Sequence, residues 1–167
     1  YDGEWTKITK SNGMAGDCVY SIQQDNAGNI WFGTEVGISI YNGKTISNFS
    51  MFPHDTVWVI SQGRKSLFWL GTANGAYSFN QSDSSLVLVT PDSSIEFDVR
   101  DILVDSAENT WFATHNNGIY LQKTNGEWDH FSTDNIAALG SNRITDLFED
   151  RSKHVWFATD GGGVVRL

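Results

Sequence analysis

Tyr20, Trp58, Arg100 and Thr145 stand at matching places along the chain and invite a chemical reading. Each is the second residue of a short apolar-rich stretch: VYSIQQD (19–25), VWVISQG (57–63), VRDILVD (99–105) and ITDLFED (144–150). The residues just before them, Val19, Val57, Val99 and Ile144, are uniformly apolar and read as packing. The second-position set does not. Aromatic faces stack on the apolar side of a sugar ring, and a guanidinium can hold a carboxylate through two parallel hydrogen bonds. Together these types suit a neutral or acidic oligosaccharide. The competing reading is that Tyr20 and Trp58 fill gaps between layers of structure while Arg100 pairs with Asp98 or Asp101.

Other candidates surround this set. Glu35, His115 and Asp160 occupy equivalent turns, and Arg143 closes the loop before the last stretch. The third position reads Ser21, Val59, Asp101, Asp146. Asp101 and Asp146 near one axis are candidates for a channel cation; calcium would need six or more oxygens, which backbone carbonyls would have to complete. Two solvated or salt-bridged aspartates are the competing reading. Paired carboxylates also serve glycoside hydrolysis, where their separation decides the mechanism, and no separation follows from these residues. There is no G-x-S-x-G nucleophile elbow. Gly161-Gly162-Gly163 lacks the lysine and following helix of a phosphate loop. His54, His115, His130 and His154 are scattered. No catalytic residue is assigned, and the expected activity is binding.

The elements that position these residues are repeats. GNIWFGT (28–34) is echoed by SLFWLGT (66–72), ENTWFAT (108–114) and KHVWFAT (153–159). The tryptophans, Trp31, Trp69, Trp111 and Trp156, recur at about 40 to 45 residues, a period typical of propeller blades. Around each, the pattern predicts four antiparallel strands, A to D: the apolar stretch, the Trp strand, a third strand after a glycine, and a fourth after a turn. Asn42-Gly43 and Asn125-Gly126 are hairpin signals, because both central residues must take positive φ. Gly33, Gly71, Ala113 and Ala158 are expected where a neighbouring blade crosses closely. Nothing shows a helical period. The fold class is therefore all-β: a propeller of four four-stranded blades in a single domain, at about 19–50, 56–90, 98–132 and 143–167 plus 1–9. YDGEWTKIT at the N-terminus matches TNGEWDHFS (124–132), so the first residues are expected to complete the last blade and close the ring. An arc of a larger ring, or two copies assembling into one, are the alternatives. The D–A loops and B–C turns gather on one face, where the candidate residues would meet.

Composition limits the partners. The 167 residues carry a net charge of −9, which leaves no basic stripe for a nucleic-acid backbone. Cys18 is the single cysteine, so no intrachain disulfide and no cysteine zinc cluster is available. No apolar run is long enough to span a membrane as a helix.

Asp25, Gly28, Asn29, Trp31, Gly33, Thr34, Gly37, Tyr41 and Gly43 together resemble the regulator-propeller repeat, and 141–167 is similar. The copy at 57–79 is degraded, with Gly63 for the Asp; that at 99–121 has Glu108 where Gly is expected. The repeat builds extracytoplasmic sensors of bacterial hybrid two-component systems, which respond to glycans and continue into a β-sandwich, a membrane segment and a histidine kinase. The resemblance implies a non-catalytic sensor propeller, periplasmic or extracellular, with an oligosaccharide ligand and a fused or associated signalling domain. A protein-interaction scaffold or a stand-alone lectin is the alternative. A weaker similarity links the Trp strands to streptogramin-lyase blades, whose magnesium-dependent chemistry would make the chain a lyase; a hydrolase is equally a lesser expectation.

Overall fold

The computed structural model describes residues 3–49, 55–64, 66–95 and 97–167; His54 lies outside them. Fifteen strands and two single 3₁₀ turns, Lys10–Asn12 and Ala137–Leu139, make up its regular structure. The first sheet holds β1 (Val19–Gln24), β2 (Ile30–Thr34), β3 (Gly37–Tyr41) and β4 (Ile46–Asn48). The second holds β5 (Val57–Gln62), β6 (Leu67–Thr72), β7 (Gly75–Asn80) and β8 (Ser85–Val89). The third holds β9 (Val99–Val104), β10 (Thr110–Thr114), β11 (Ile119–Gln122) and β12 (Trp128–Phe131). The fourth holds β13 (Ile144–Glu149), β14 (Val155–Thr159) and β15 (Gly163–Arg166). Each is an antiparallel meander in chain order, as the all-β propeller reading expects.

Alternate residues of each blade face opposite neighbours. Trp31 packs with Val57, Ile60, Phe68 and Leu70 of the second blade. Trp69 packs with Val99, Ile102 and Phe112 of the third, and Trp111 with Ile144, Leu147 and Phe157 of the fourth. So the Trp of strand B presses forward, while the aromatic or leucine beside it takes the Trp of the blade behind. Each such burial of a large apolar side chain contributes about 1.5–3 kcal/mol, and no blade achieves it alone.

A carboxylate fixes the tryptophan edge in three of the four blades. Asp25 Oδ2 accepts from Trp31 Nε1 at 3.0 Å, Asp105 Oδ2 from Trp111 Nε1 at 2.8 Å, and Asp150 Oδ2 from Trp156 Nε1 at 2.9 Å. The other oxygen of each organises the A–B turn by accepting two backbone N–H groups. Gln81 of the second blade also donates to Asp25, at 2.9 Å. Burial works against ionising Asp25, but donors from Asn29, Trp31 and Gln81 prevail and pull its carboxyl down to about 2. In the second blade Gly63 replaces the aspartate, and the Trp69 indole edge lies against it.

The same turn explains the recurrent glycine. Gly28, Glu108 and Lys153 occupy one position and take φ of 87°, 73° and 68°. The close crossings expected at small residues are present: a Cβ on Gly33 would meet Val57 O at 2.9 Å, and one on Gly71 would meet Val99 O at 2.9 Å.

The fourth blade differs from expectation. It has three strands, and residues 3–9 form no strand. They lie beside the first blade instead, where Thr6, Lys7 and Ile8 share a groove with Tyr41 and Ile46. The cause is the shape of the stack. Innermost strands pack in series, β1 on β5, β5 on β9, β9 on β13, and no comparable contact joins β13 to β1 among the described residues. The four blades form an open arc, so the N-terminal segment does not reach β15 of its own chain.

Asp105→Ala should lower unfolding stability by about 2 kcal/mol, because it orphans the Trp111 indole and unties the turn. Lys153→Gly should raise it by about 1 kcal/mol by relieving the left-handed backbone. Urea unfolding of the two variants checks both.

Candidate functional site

Every innermost strand carries a bulge at the same place. In the pairing with strand B, Val19 opposes Thr34 and Ser21 opposes Gly33, leaving Tyr20 as the extra residue. The register slips identically around Trp58, Arg100 and Thr145. A bulged residue leaves the alternation of the strand and its side chain is re-aimed. That is why this column breaks the packing pattern while Val57, Val99 and Ile144 on one side of it are buried.

The re-aimed side chains meet. The Tyr20 and Trp58 rings lie 4.7 Å apart, tilted by 60°. The Arg100 guanidinium sits over the Trp58 ring, 3.9 Å from its centroid, a cation–π contact. Asp98 Oδ2 accepts from Arg100 at 2.7 Å, so of the two expected acid partners it is Asp98 that Arg100 takes. Tyr20, Trp58 and Arg100 line a cleft of about 370 Å³ with His115, Arg143, Ile144, Thr145 and Asp160. Arg143 and Asp160 are half exposed and paired at 2.9 Å across its rim. Trp58 Nε1, Arg100 Nε and Asp98 Oδ1 are buried with no hydrogen-bond partner among the described residues. Buried polar atoms are usually satisfied, so these three stand out from the rest of the fold.

The structure thus brings together Tyr20, Trp58, Arg100, His115, Arg143 and Asp160. It places Glu35 elsewhere. The Glu35 carboxylate accepts from the backbone N–H groups of Asp17 and Cys18 at 3.1 and 3.0 Å and anchors the first D–A loop. A Cβ at Gly16 would collide with that carboxylate, which is why the loop carries glycine there. Ile144, which sequence reasoning reads as packing, and Thr145, the last member of the bulge column, also line the cleft. Thr145 shares the bulge column, but its small side chain gives no chemical signal. His130 stacks on Tyr120 away from the cleft, and His154 stands in the Asp150 turn.

Asp101 is tied at both oxygens. Oδ1 accepts from Ile102 N–H at 2.9 Å and Oδ2 from Leu147 N–H of the next blade at 2.7 Å. Backbone donors face the lone pairs that a cation would need. Among the described residues no group of three or more His, Cys, Asp or Glu side chains could hold a metal. Burial, with Asp146 nearby, pushes the Asp101 carboxyl up to about 6. Ser21 does the same between the first and second blades, where its hydroxyl accepts from Ile60 N–H at 2.8 Å. This column therefore joins blade to blade beneath the cleft.

The family model for the two component regulator propeller matches residues 13–36 and 138–161, so the chain carries that repeat in its first and last blades. No curated protein matches the chain in sequence. Among solved structures, the extracellular domain of the hybrid two component system BT3049 of B. thetaiotaomicron superposes with a TM-score of 0.85 at 20% identity, over 97% of this chain and 25% of that one. The extracellular domain of BT4673 from the same organism gives 0.79 at 19% identity, over 96% of this chain and 22% of its own. Virginiamycin B lyase of Staphylococcus aureus gives 0.67 at 16% identity, over 90% and 55%. These likenesses are of fold, and the chain spans about a quarter of the length of the two extracellular domains. No helix among the described residues is long and apolar enough to cross a membrane.

The Asp101 clamp gives the stack a pH dependence. A carboxyl raised from 3.8 to about 6 keeps its proton longer in the folded chain, so stability falls as pH rises between those values. Asn at this position still accepts from Leu147 N–H and never ionises. Asp101→Asn should match the wild type near pH 4 and exceed it by on the order of 1–3 kcal/mol at pH 7. Urea midpoints across pH 4–7.5 measure the difference. Asp25 and Asp150, both lowered to about 2, act below this window.

Proposed function

We propose, for a chain that carries the two-component regulator propeller repeat, that the axial cleft is a non-catalytic sensing site for an oligosaccharide outside the cytoplasm. The observation that carries this reading is the row of bulges. It turns one side chain per blade toward a common mouth, and the types so presented are an aromatic pair, a guanidinium and a hydroxyl. Tyr20 and Trp58 offer a tilted pair of ring faces to the C–H face of a pyranose. Arg100 and Arg143 offer donors to a uronic-acid carboxylate. Each is already held by an aspartate, and that pairing preorganises it and disfavours an unpaired arginine in the empty state. His115, whose backbone N–H donates to Asp98 O at 2.9 Å, closes the rim beside Arg100.

The arrangement favours recognition over turnover. The cleft carboxylate of Asp160 and that of Asp98 behind Arg100 are both engaged by arginines, so neither is poised as a general acid or nucleophile. A bound glycan would bridge residues from all four blades. It would stiffen the arc and change what its loops present to a fused or associated signalling domain.

Calorimetric titration with neutral and uronic-acid-containing oligosaccharides tests the reading. Trp58→Ala should weaken binding of both classes by tenfold or more while lowering stability by about 2–3 kcal/mol, less than a fully buried Trp would, because the ring is only partly buried. Arg100→Ala should weaken only the acidic class. Affinities unchanged in both variants, or no binding by any glycan of either class, would overturn it and favour a protein-interaction scaffold.

A further inference from the structure

The outermost strands of the first three blades contain two kinds of position. Leu86 and Trp128 share one column of the cross-strand register, Phe49, Val89 and Phe131 another, and all five pack into the clusters between blades. The two columns between these have no such duty. They hold Ser47, Val87 and Asp129, then Asn48, Leu88 and His130. In the first blade both residues are polar and exposed. In the third, Asp129 pairs with Lys123 at 2.8 Å and His130 stacks on Tyr120. In the second blade both are aliphatic and open to solvent: Val87 is 55% exposed and Leu88 54%.

β8 is the last strand of its sheet, so one row of its N–H and C=O groups faces no neighbouring strand among the described residues. Native sheets guard such an edge by keeping it short or charged. β4 has only three residues and β12 carries Asp129, whereas β8 runs five residues, Ser85–Val89, without a charge. The outer edge of a blade points away from its neighbours however many blades the stack holds. It is also the far side of the sheet from the innermost strands that carry the axial cleft.

Charge at the two ends of β8 says what fits there. Asp83 precedes the strand and Asp92 follows it, and both are exposed. Asp83 Oδ1 accepts from Ser85 N–H at 3.0 Å and Asp92 Oδ1 from Ser94 N–H at 2.8 Å. Hydrogen bonds from Ser85 and Ser94 hold the two carboxyls below the usual carboxylate range, so both stay ionised. The edge is thus an aliphatic run with a negative charge beyond each end. A second copy of this chain fits it badly. Antiparallel pairing about Val87 would set Asp83 of each copy one residue from Asp92 of the other, between chains that each carry a net charge of −9. We propose that the outer edge of β8 takes an extended segment of a partner protein as a fifth strand, a segment with a short aliphatic run and a basic residue beyond each end. Main-chain hydrogen bonds would hold such a strand. Val87 and Leu88, on opposite faces of the sheet, would select aliphatic neighbours on both faces, and Asp83 and Asp92 would select the basic ends.

Fluorescence anisotropy with two labelled peptides, KKTVIVTKK and EETVIVTEE, tests this. The lysine-ended peptide should bind the chain at least ~10-fold more tightly than the glutamate-ended one. Val87→Ser with Leu88→Asn gives β8 the residues that the first blade carries in the same columns. That variant should keep the wild-type circular dichroism and bind KKTVIVTKK at least ~10-fold more weakly. Asp83→Asn with Asp92→Asn should abolish the preference for lysine ends while keeping both turns, because asparagine still accepts from the same N–H groups. Amides of residues 85–89 should gain exchange protection when KKTVIVTKK is added. No saturable binding of either peptide, equal affinity for both, full affinity in the Val87→Ser, Leu88→Asn variant, or binding without protection at 85–89 would each overturn the proposal. So would a doubled mass of the chain alone that this variant abolishes, which would make a second copy the occupant.

Discussion

A sheet with bulk on both faces has no stable place in water by itself, and this constraint shapes the whole molecule. Each of the first three blades sends a tryptophan forward into its neighbour, and each of the last three receives one from behind. The tryptophan is amphipathic, so its buried ring must still satisfy an N–H. The aspartate that satisfies it also ties the A–B turn, which makes one carboxylate answer for the turn, the ring orientation and the spacing between blades. The second blade has Gly63 in place of the aspartate, with the Trp69 indole edge lying directly against it.

Most of this was legible in the residues. The Trp period, the polar turn before it and the glycine after it gave all fifteen strands their place, since each signal is local and repeats. The small residues after the tryptophans were readable for the same reason: a Cβ at Gly33 or Gly71 would strike the neighbouring backbone. Closure was not readable. Whether four blades meet end to end depends on the angle each turns through, a sum of small packing differences that no single residue encodes. The N-terminal GEW motif resembles a D-type strand, yet residues 3–9 form no strand, because the edge it would pair with lies at the other end of the arc.

The site was partly legible. Tyr20, Trp58 and Arg100 stood out because their column broke the apolar rule, and the loops brought His115, Arg143 and Asp160 to the same mouth. Glu35 was grouped with them on its turn position alone; its reach toward the Asp17 and Cys18 amides depends on the path of a loop. The bulge itself left only the mixed column as its trace. Asp101 and Asp146 looked like a cation pair because sequence gives their column and not their hydrogen bonds, and two backbone donors on Asp101 change what that carboxylate is for.

The bulge also separates two kinds of inheritance. The residue before it and the residue two after it are apolar in all four blades, while the residue within it faces its counterparts rather than the packed layers. Tyrosine, tryptophan, arginine and threonine occupy that one position in four otherwise similar blades. A molecule built this way can change its taste in ligands one blade at a time, by drift at a position where drift does not threaten the fold.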